Sequence, residues 1–370
     1  MNMAGSPGTL ERDLVAMIAA EGPIGVDRYM GLCLGHARHG YYMRQDPLGR
    51  GGDFTTAPEI SQMFGELVGV WCASVWQAMG APSTVRVVEF GPGRGTLMAD
   101  MLRAARVVAG FVDAARVSLV ETSPVLRQGQ KQALARAGVA IQWHDRLDEV
   151  PPGPTLLVAN EFFDALGVRQ FVRTGSGWHE RLVGLDTSGK LAFGLAPDPL
   201  PPALLPQWAH DAPPGEVIEV SPARDAMAQA IGARLAGMGG AALIVDYGHV
   251  RSAPGDTLQA VRAHGFQGVL DRPGDTDLTS HVDFEALGES LHQGGAVVHA
   301  PLTQGAFLSA MGLAERAEML KRQADAPTRA DIDAAAARLA DEAQMGHLFK
   351  VIAATYPGLP PPYPFQGPGA

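Results

Sequence analysis

Apolar strand patterns alternate with amphipathic helix patterns through most of the chain. Helical patterns at 95–106 and 123–138 separate strand patterns at 85–90, 116–122, 139–145 and 155–162. The alternation returns with a helix at 222–237 and strands at 241–249, 296–303 and 347–355. Apolar strands that alternate with helices are typical of a parallel sheet covered on both faces. The pattern therefore predicts an α/β fold with a doubly wound, Rossmann-like, mostly parallel sheet.

Other stretches depart from this alternation and suggest a division of the chain. Residues 1–84 are predicted to form an N-terminal helical segment with a cofactor lid, before a core at 85–356 and a Pro-rich tail at 357–370. Within the core, residues 168–214 contain three antiparallel strand patterns and Pro-rich text, and residues 250–293 are irregular. We expect these two insertions to form a substrate-binding cap, with a role in a homodimer as the competing interpretation.

Composition and charge narrow the class of protein. The 370 residues are 46% hydrophobic and 18% charged, which is typical of a globular protein. The net charge is -10 and no dense Lys/Arg run is present, which argues against nucleic acid as a partner. No stretch is apolar over the ~18 residues that a membrane span requires. The two cysteines do not form a metal motif, and the N-terminus lacks a secretory pattern. We therefore expect a cytoplasmic protein if the source is bacterial, and a protein of the mitochondrial matrix if the source is eukaryotic.

The stretch "EFGPGRGT" lies between a predicted strand and a predicted helix, where nucleotides often bind. Its spacing differs from the dinucleotide pattern, since Thr96 occupies the place of the third glycine. Glu89 would repel a pyrophosphate but attract a cation, which favours S-adenosylmethionine over a nicotinamide dinucleotide. The predicted cofactor-binding residues of this loop are Glu89, Gly91, Pro92, Gly93, Gly95 and Thr96.

Polar residues also follow the next three predicted strands, where open α/β sheets bind ligands. Glu121 and Thr122 end the second strand, and the acid is placed to bind ribose hydroxyls. His144 and Asp145 end the third strand, where an acid would meet the adenine amino group, and Asn160 ends the fourth. A single such residue is often a helix cap, but the series predicts a nucleoside site.

The motif "GGDFTTAPE" precedes a long helical pattern. Asp53, Thr55 and Thr56 are predicted to cover the cofactor as a lid, with glycines 51 and 52 as its hinge. The alternative is a structural helix capped by Thr55 or Thr56.

Long motifs resemble those of the MidA-type methyltransferases, relatives of the mitochondrial complex I assembly factor 7. The matching stretches are "HGYYM", "GGDFTTAPEISQMFGELVGVW", "VEFGPGRGTLMADMLR", "VANEFFDALGVRQF", "ALIVDYGH", "DTDLTSHVDF", "PLTQGAFLSAMGL" and "MGHLFKVIA". The resemblance implies a class I S-adenosylmethionine-dependent methyltransferase and assigns the glycine loop and Glu121 to the cofactor. It further implies a protein arginine methyltransferase that acts on a respiratory complex I subunit. Gly167 stands where the family often has Pro.

An arginine acceptor is cationic and requires carboxylates that hold its guanidinium. We predict that Glu161, with Asp164 second, performs this role, although Asp164 is also placed to cap the next helix. Tyr247 and His249 are predicted to orient the acceptor or take the released proton, with hydrogen bonding behind the site as the alternative. The motif at 277–283 mixes Asp and His without a metal-site spacing, so we predict no metal.

The sequence is therefore compatible with three functions. The favoured one is methylation of a protein arginine. A non-arginine or small-molecule acceptor fits the same core, and an assembly chaperone with residual cofactor binding is the alternative from another class. A nicotinamide dehydrogenase is disfavoured by Glu89 and Thr96.

Overall fold

The computed structural model describes residues 9–44, 55–263 and 265–366. The helices, in chain order, are α1 (Thr9–Glu21), α2 (Val26–Gly35), α3 (Tyr41–Arg44), α4 (Ala57–Ile60), α5 (Gln62–Ala78), α6 (Thr96–Ala105), α7 (Phe111–Ala114), α8 (Pro124–Ala133), α9 (Pro222–Met238), α10 (Phe284–Gln293), α11 (Gln304–Ala310), α12 (Leu313–Lys321) and α13 (Ala326–Ala340). The strands are β1 (Ile24–Gly25), β2 (Val85–Phe90), β3 (Ala115–Val120), β4 (Ile141–His144), β5 (Thr155–Asn160), β6 (Arg169–Thr174), β7 (Gly177–Leu185), β8 (Leu191–Pro199), β9 (Val217–Val220), β10 (Gly240–His249), β11 (Gln259–Arg262), β12 (Gly265–Gln267), β13 (Asp277–Thr279), β14 (Val282–Asp283), β15 (Val297–Thr303) and β16 (Phe349–Thr355).

The central sheet has the strand order β15-β16-β10-β5-β2-β3-β4, and β14 pairs with β10 beyond this path. Strands β2, β3, β4, β5 and β10 run parallel, whereas β16 is antiparallel to both of its neighbours. This arrangement confirms the predicted mostly parallel sheet. The chain order reverses between β2 and β5, and open α/β sheets bind ligands beside such a reversal.

The central strands are apolar along their whole length because helices cover both faces. Every residue of β5 is buried. Its side chains alternate between two cores, with Leu156 and Val158 packed among residues of α5 and α6, and Leu157 and Ala159 among residues of α9 and α10. Two buried faces explain why the strand patterns lack polar alternation.

The first insertion forms an antiparallel sheet, as predicted, in the order β1-β7-β6-β9 with β8 on β7. Two of its strands were not expected: β9 lies just after the Pro-rich text, and β1 comes from the N-terminal segment. Leu14 of α1, Val26 of α2 and Val183 of β7 share one hydrophobic core. The N-terminal segment and the first insertion therefore pack together.

The second insertion is more regular than predicted. It contains a small sheet in the order β12-β11-β13 and ends in helix α10, which packs on the central sheet. Asp283 caps this helix by accepting hydrogen bonds from the backbone N–H groups of Glu285 (3.0 Å) and Ala286 (3.1 Å). The buried spacing of Phe284, Leu287 and Leu291 is helical and was available as a sequence signal.

The single long helix that was predicted to begin after Thr55 or Thr56 is divided into two helices. A short helix, α4, comes first, and Ser61 then adopts an extended conformation (φ -159°, ψ 139°) before α5. The Ser61 hydroxyl accepts a hydrogen bond from the Met63 N–H at 3.2 Å, so Ser61 is the cap of α5. Thr56 precedes α4 without a capping hydrogen bond from its side chain.

Candidate functional site

A cleft of about 950 Å³ opens at the carboxyl ends of β2, β3 and β5. It lies at the reversal of strand order and receives residues from three of the predicted strand ends. The predicted site residues that line it are Thr56, Glu89, Gly91, Pro92, Gly93, Thr96, Glu121, Thr122, Asn160 and Glu161. Tyr42, Glu59 and Phe162 also line it and were not predicted from the sequence.

The glycine loop turns sharply between β2 and α6. Gly91, Gly93 and Gly95 have φ angles of 55°, 52° and 84°, in the left-handed region that favours glycine. A Cβ atom at Gly91 would lie 3.1 Å from the Phe162 ring, so the loop also packs too closely for a side chain. Gly95 does not line the cleft but forms the N-cap of α6. Thr96, the next residue, donates a hydrogen bond to Glu59 at 2.5 Å.

Glu89 is buried at the end of β2, with only 2% of its surface exposed. Among the described residues, its Oε2 atom has no hydrogen-bond partner. Burial, and secondly the charge of Glu121, raise its pKa to about 8. A buried carboxylate with an unused oxygen suits a cationic ligand, which would supply the missing partner.

Glu121 is held rigidly at the end of β3. Its Oε1 accepts a hydrogen bond from the Ser123 N–H at 2.7 Å, and its Oε2 accepts one from the Gln130 side chain at 3.1 Å. Gln130 also donates to the Gly93 carbonyl at 2.8 Å and thereby ties the acid to the glycine loop. Burial raises the pKa of Glu121. A fixed carboxylate at this position fits the ribose role that the sequence predicts.

Three other predicted cofactor residues that the structure describes, Thr55, His144 and Asp145, do not line the cleft. Asp145 is exposed at the end of β4 and forms an ion pair with Arg127 at 2.6 Å, so its carboxylate is engaged elsewhere. His144 precedes it, and burial lowers the pKa of its ring. Thr55 is half-buried beside Thr56, and Asp53 with the two hinge glycines falls outside the described residues. Their cofactor and lid roles stay predictions.

Glu161 follows β5 with a φ of 51°, which is unusual for a residue with a side chain. Its Oε1 accepts hydrogen bonds from the Ala57 N–H and from the Asn160 side chain, both at 3.1 Å. Burial raises its pKa to about 7. The contact with Ala57 brings helix α4 against the strand end, so the motif before α5 does reach the cleft.

Asp164 lies under the cleft and does not line it. Burial raises the pKa of its carboxyl group, and the neighbouring Tyr247 hydroxyl partly offsets that shift. Behind it, Asp246 Oδ2 accepts from the N–H groups of Phe163 (3.0 Å) and Asp164 (3.2 Å). The structure therefore separates Glu161, at the cleft, from Asp164 and Tyr247, in a buried network.

Arg224 of α9 completes this network and was missed in the sequence. Its buried guanidinium donates to the carbonyl groups of Phe163 (2.7 Å), Asp164 (3.2 Å), Ser280 (3.1 Å) and His281 (2.7 Å). It thus clamps the loop after Glu161 to the segment before β14. An arginine in the first turn of a helix carries no sequence signal for such a role.

His249 lies at the end of β10 and faces a second opening instead of the cleft. Its Nε2 is 3.7 Å from Asp283 Oδ2, and His281 lines the same opening. Within the described ranges, no group of three His, Cys, Asp or Glu side chains is arranged to hold a metal ion. No described helix has both the length and the apolar character of a membrane span.

The cleft residues fit a cationic nucleoside. Three carboxylates, Glu89, Glu121 and Glu161, surround a glycine loop whose backbone allows close approach. Within the described part of the chain, Oε2 of Glu89 and Oδ1 of Asn160 have no hydrogen-bond partner, so they would give such a ligand two further polar contacts. A pyrophosphate, by contrast, would bring its negative charge beside several buried carboxyl groups.

Comparisons with known proteins agree with this chemistry. A family model described as "Putative S-adenosyl-L-methionine-dependent methyltransferase" matches residues 67–302. The mitochondrial protein arginine methyltransferase NDUFAF7 of Danio rerio is 38% identical over 363 residues, covering 92% of this chain and 85% of the relative. Its Mus musculus counterpart is 39% identical, covering 86% and 77%. A crystal structure from Burkholderia thailandensis, bound to S-adenosyl-homocysteine, is similar with a TM-score of 0.83 and 30% identity, covering 95% and 94%.

Proposed function

Because the chain belongs to the S-adenosyl-L-methionine-dependent methyltransferase family, we propose that it methylates an arginine side chain of a protein. Family membership confirms the predicted cofactor, enzyme class and fold. Two observations support an arginine acceptor: the relatives are protein arginine methyltransferases, and one residue of the cleft has suitable chemistry. That residue is Glu161, a carboxylate at the cleft wall with a pKa raised to about 7.

The cofactor supplies an electrophilic methyl group on a sulfonium when it is bound. Glu89, Glu121, Asn160 and the glycine loop are the residues that would hold it. Glu161 would bind the acceptor guanidinium, which is always cationic and cannot be deprotonated in advance. As the new C–N bond forms and the C–S bond breaks, the nitrogen must lose a proton. A carboxylate with a pKa near neutrality is suited to receive it.

The predicted roles of Tyr247, His249 and Asp164 are revised within this proposal. Tyr247 and Asp164 lie beside each other under the cleft, and His249 faces Asp283. We therefore propose that Asp164 and Tyr247 support the loop that carries Glu161. They would not touch the guanidinium.

The finer predictions remain proposals. A subunit of respiratory complex I is the first acceptor to test, as the sequence resemblance implies. The relatives cited above are mitochondrial proteins of animals, so the predicted cytoplasmic location stays a prediction. The predicted homodimer also stays a prediction.

The test uses purified protein, S-adenosylmethionine with an isotope-labelled methyl group, and purified complex I subunits. Mass spectrometry should find the label on an arginine with the wild type and none with Glu161→Gln. Calorimetry should show that Glu161→Gln still binds S-adenosylmethionine with nearly unchanged affinity. Label on another residue type, or only on a small molecule, would overturn the arginine proposal.

A further inference from the structure

A second opening of about 1610 Å³ lies beside the cofactor cleft, between the first insertion and helix α10. We call it the acceptor-side groove. One wall is apolar and exposed to solvent: the exposed fractions of Leu204, Trp208 and Val220 are 69%, 39% and 40%. Large apolar side chains exposed together along a groove are characteristic of an interaction surface.

The other wall of the acceptor-side groove is acidic. Its five carboxylates are Glu219, Asp225, Asp283, Glu285 and Glu289. Arg224 is the one Lys or Arg side chain among the described groove-lining residues, and backbone carbonyl groups already engage its guanidinium. The groove therefore presents negative charge opposite an apolar wall.

Two of these acids are available to a ligand. Glu289 and Asp225 form no ion pair with another described residue; Glu289 contacts Gln293 at 3.4 Å and Asp225 contacts Ser290 at 3.0 Å. Glu285 pairs with the exposed Arg251 at 2.9 Å, a contact that solvent weakens. A cationic partner would thus find carboxylates without strong competing partners.

The acceptor-side groove adjoins the acceptor end of the cofactor cleft. Val245 of β10 pairs with Asn160, so Glu161 lies level with Asp246. His249, on the groove wall, is three residues further along the same strand, which is about 10 Å. Arg224, also on that wall, bonds directly to the loop that follows Glu161. A chain seated in the groove would therefore run close to the proposed acceptor site.

We propose that the acceptor-side groove binds a segment of the acceptor protein that carries both basic and apolar residues. This inference rests on the proposed protein substrate. The charge of the acidic wall selects the basic residues, and Leu204 and Trp208 select the apolar ones. Such docking outside the reacting residue would give selectivity that a single arginine side chain cannot provide.

The test measures binding without methyl transfer, so that its outcome is independent of the proposed activity. The probe is a fluorescein-labelled peptide of alternating arginine and leucine, and its control has citrulline, which is neutral and of similar shape, in place of every arginine. Fluorescence anisotropy with the full-length protein gives the dissociation constants. The wild type should prefer the arginine peptide, and the preference should weaken with added salt.

Two groove variants and two matched controls locate the binding. The double variant Glu285→Lys with Glu289→Lys should weaken binding of the arginine peptide by about tenfold or more. Glu315→Lys with Glu318→Lys makes the same charge change on α12, outside the groove, and should have little effect. Leu204→Gln should also weaken binding, unlike Val107→Gln at an exposed site elsewhere.

Four results would overturn the assignment. One is equal affinity for the arginine and citrulline peptides, and another is unchanged binding by the groove variants. The third is that Glu161→Gln loses peptide binding while the groove variants keep it, which would locate the peptide in the cofactor cleft. If sedimentation shows that the groove variants dissociate an oligomer, the groove holds a second copy of the chain instead. Failure of methylation with intact peptide binding would count against the proposed function and leave the groove assignment standing.

Discussion

Replacement of Glu89 by Gln removes a carboxylate that the fold buries beside the glycine loop. In the free protein its pKa is about 8, so at pH 7 it is mostly protonated. Deprotonation at pH 7 costs about 1.4 kcal/mol, since one pKa unit corresponds to about that energy. A ligand cation at about 4 Å returns about 4 kcal/mol at an effective dielectric constant of about 20. The balance predicts that Glu89→Gln weakens S-adenosylmethionine binding by about 50- to 100-fold at pH 7.

The pKa of Glu89 also determines how cofactor affinity changes with pH. The cation lowers the pKa of Glu89 in the complex. At pH values between the pKa of Glu89 in the complex and its pKa in the free protein, binding therefore releases a proton. Affinity should therefore rise with pH up to about 8 and then level off. Between about pH 5.5 and about pH 7, the affinity should rise about tenfold per pH unit, which gives an increase in affinity of about 30-fold. Calorimetry in two buffers of different ionisation enthalpy would detect the released proton directly.

Glu161→Gln is the matched control, because it makes the same change in the same cleft. It should alter the affinity for S-adenosylmethionine by less than about threefold, since Glu161 is assigned to the acceptor. Glu89→Gln should lose most of the pH dependence. If the wild-type affinity does not change with pH, or if Glu89→Gln shows an equal slope, Glu89 does not bind the cation of the cofactor.

Three further changes test the fold and the site. Gly93→Val should abolish cofactor binding in calorimetry, because the φ of 52° at Gly93 lies in a region that favours glycine. A near-native circular dichroism spectrum of the variant would show that the loss is not due to unfolding. Glu66→Gln should lower the free energy of unfolding by about 2 kcal/mol, since the buried carboxylate bonds Arg103 and also Arg316 at 2.6 and 2.9 Å. The pKa of Glu66 is lowered in the folded protein, so this stabilisation is present above the ordinary pKa of a glutamate and is lost as the pH falls. If the variant and the wild type unfold at the same acidic pH, this prediction is wrong. Arg224→Lys should reduce kcat more than it raises the KM for S-adenosylmethionine, because one ammonium cannot bond four carbonyl groups, and equal effects on both would argue against a positioning role.

Local patterns predicted the order of the core strands and helices, because an apolar strand buried on both faces carries a signal in its own residues. They also predicted that Glu89, Glu121 and Asn160 meet in one cleft, since parallel strands bring their carboxyl ends to one edge of the sheet. Helix α10 had the same kind of signal but was overlooked inside a stretch rich in loops. β9 is only four residues long, too short for its period to stand out beside the Pro-rich text.

Local sequence patterns thus account for the sheet, the glycine loop and the set of residues at the strand ends. The directions in which those side chains point depend on the three-dimensional packing. Asp145 turns to Arg127, Asp164 turns to Tyr247, and Arg224 crosses from α9 to hold the loop after β5. The physical reason is that a polar side chain at a strand end bonds to whichever partner the fold brings near. Those partners lie tens of residues away, so no local period records them.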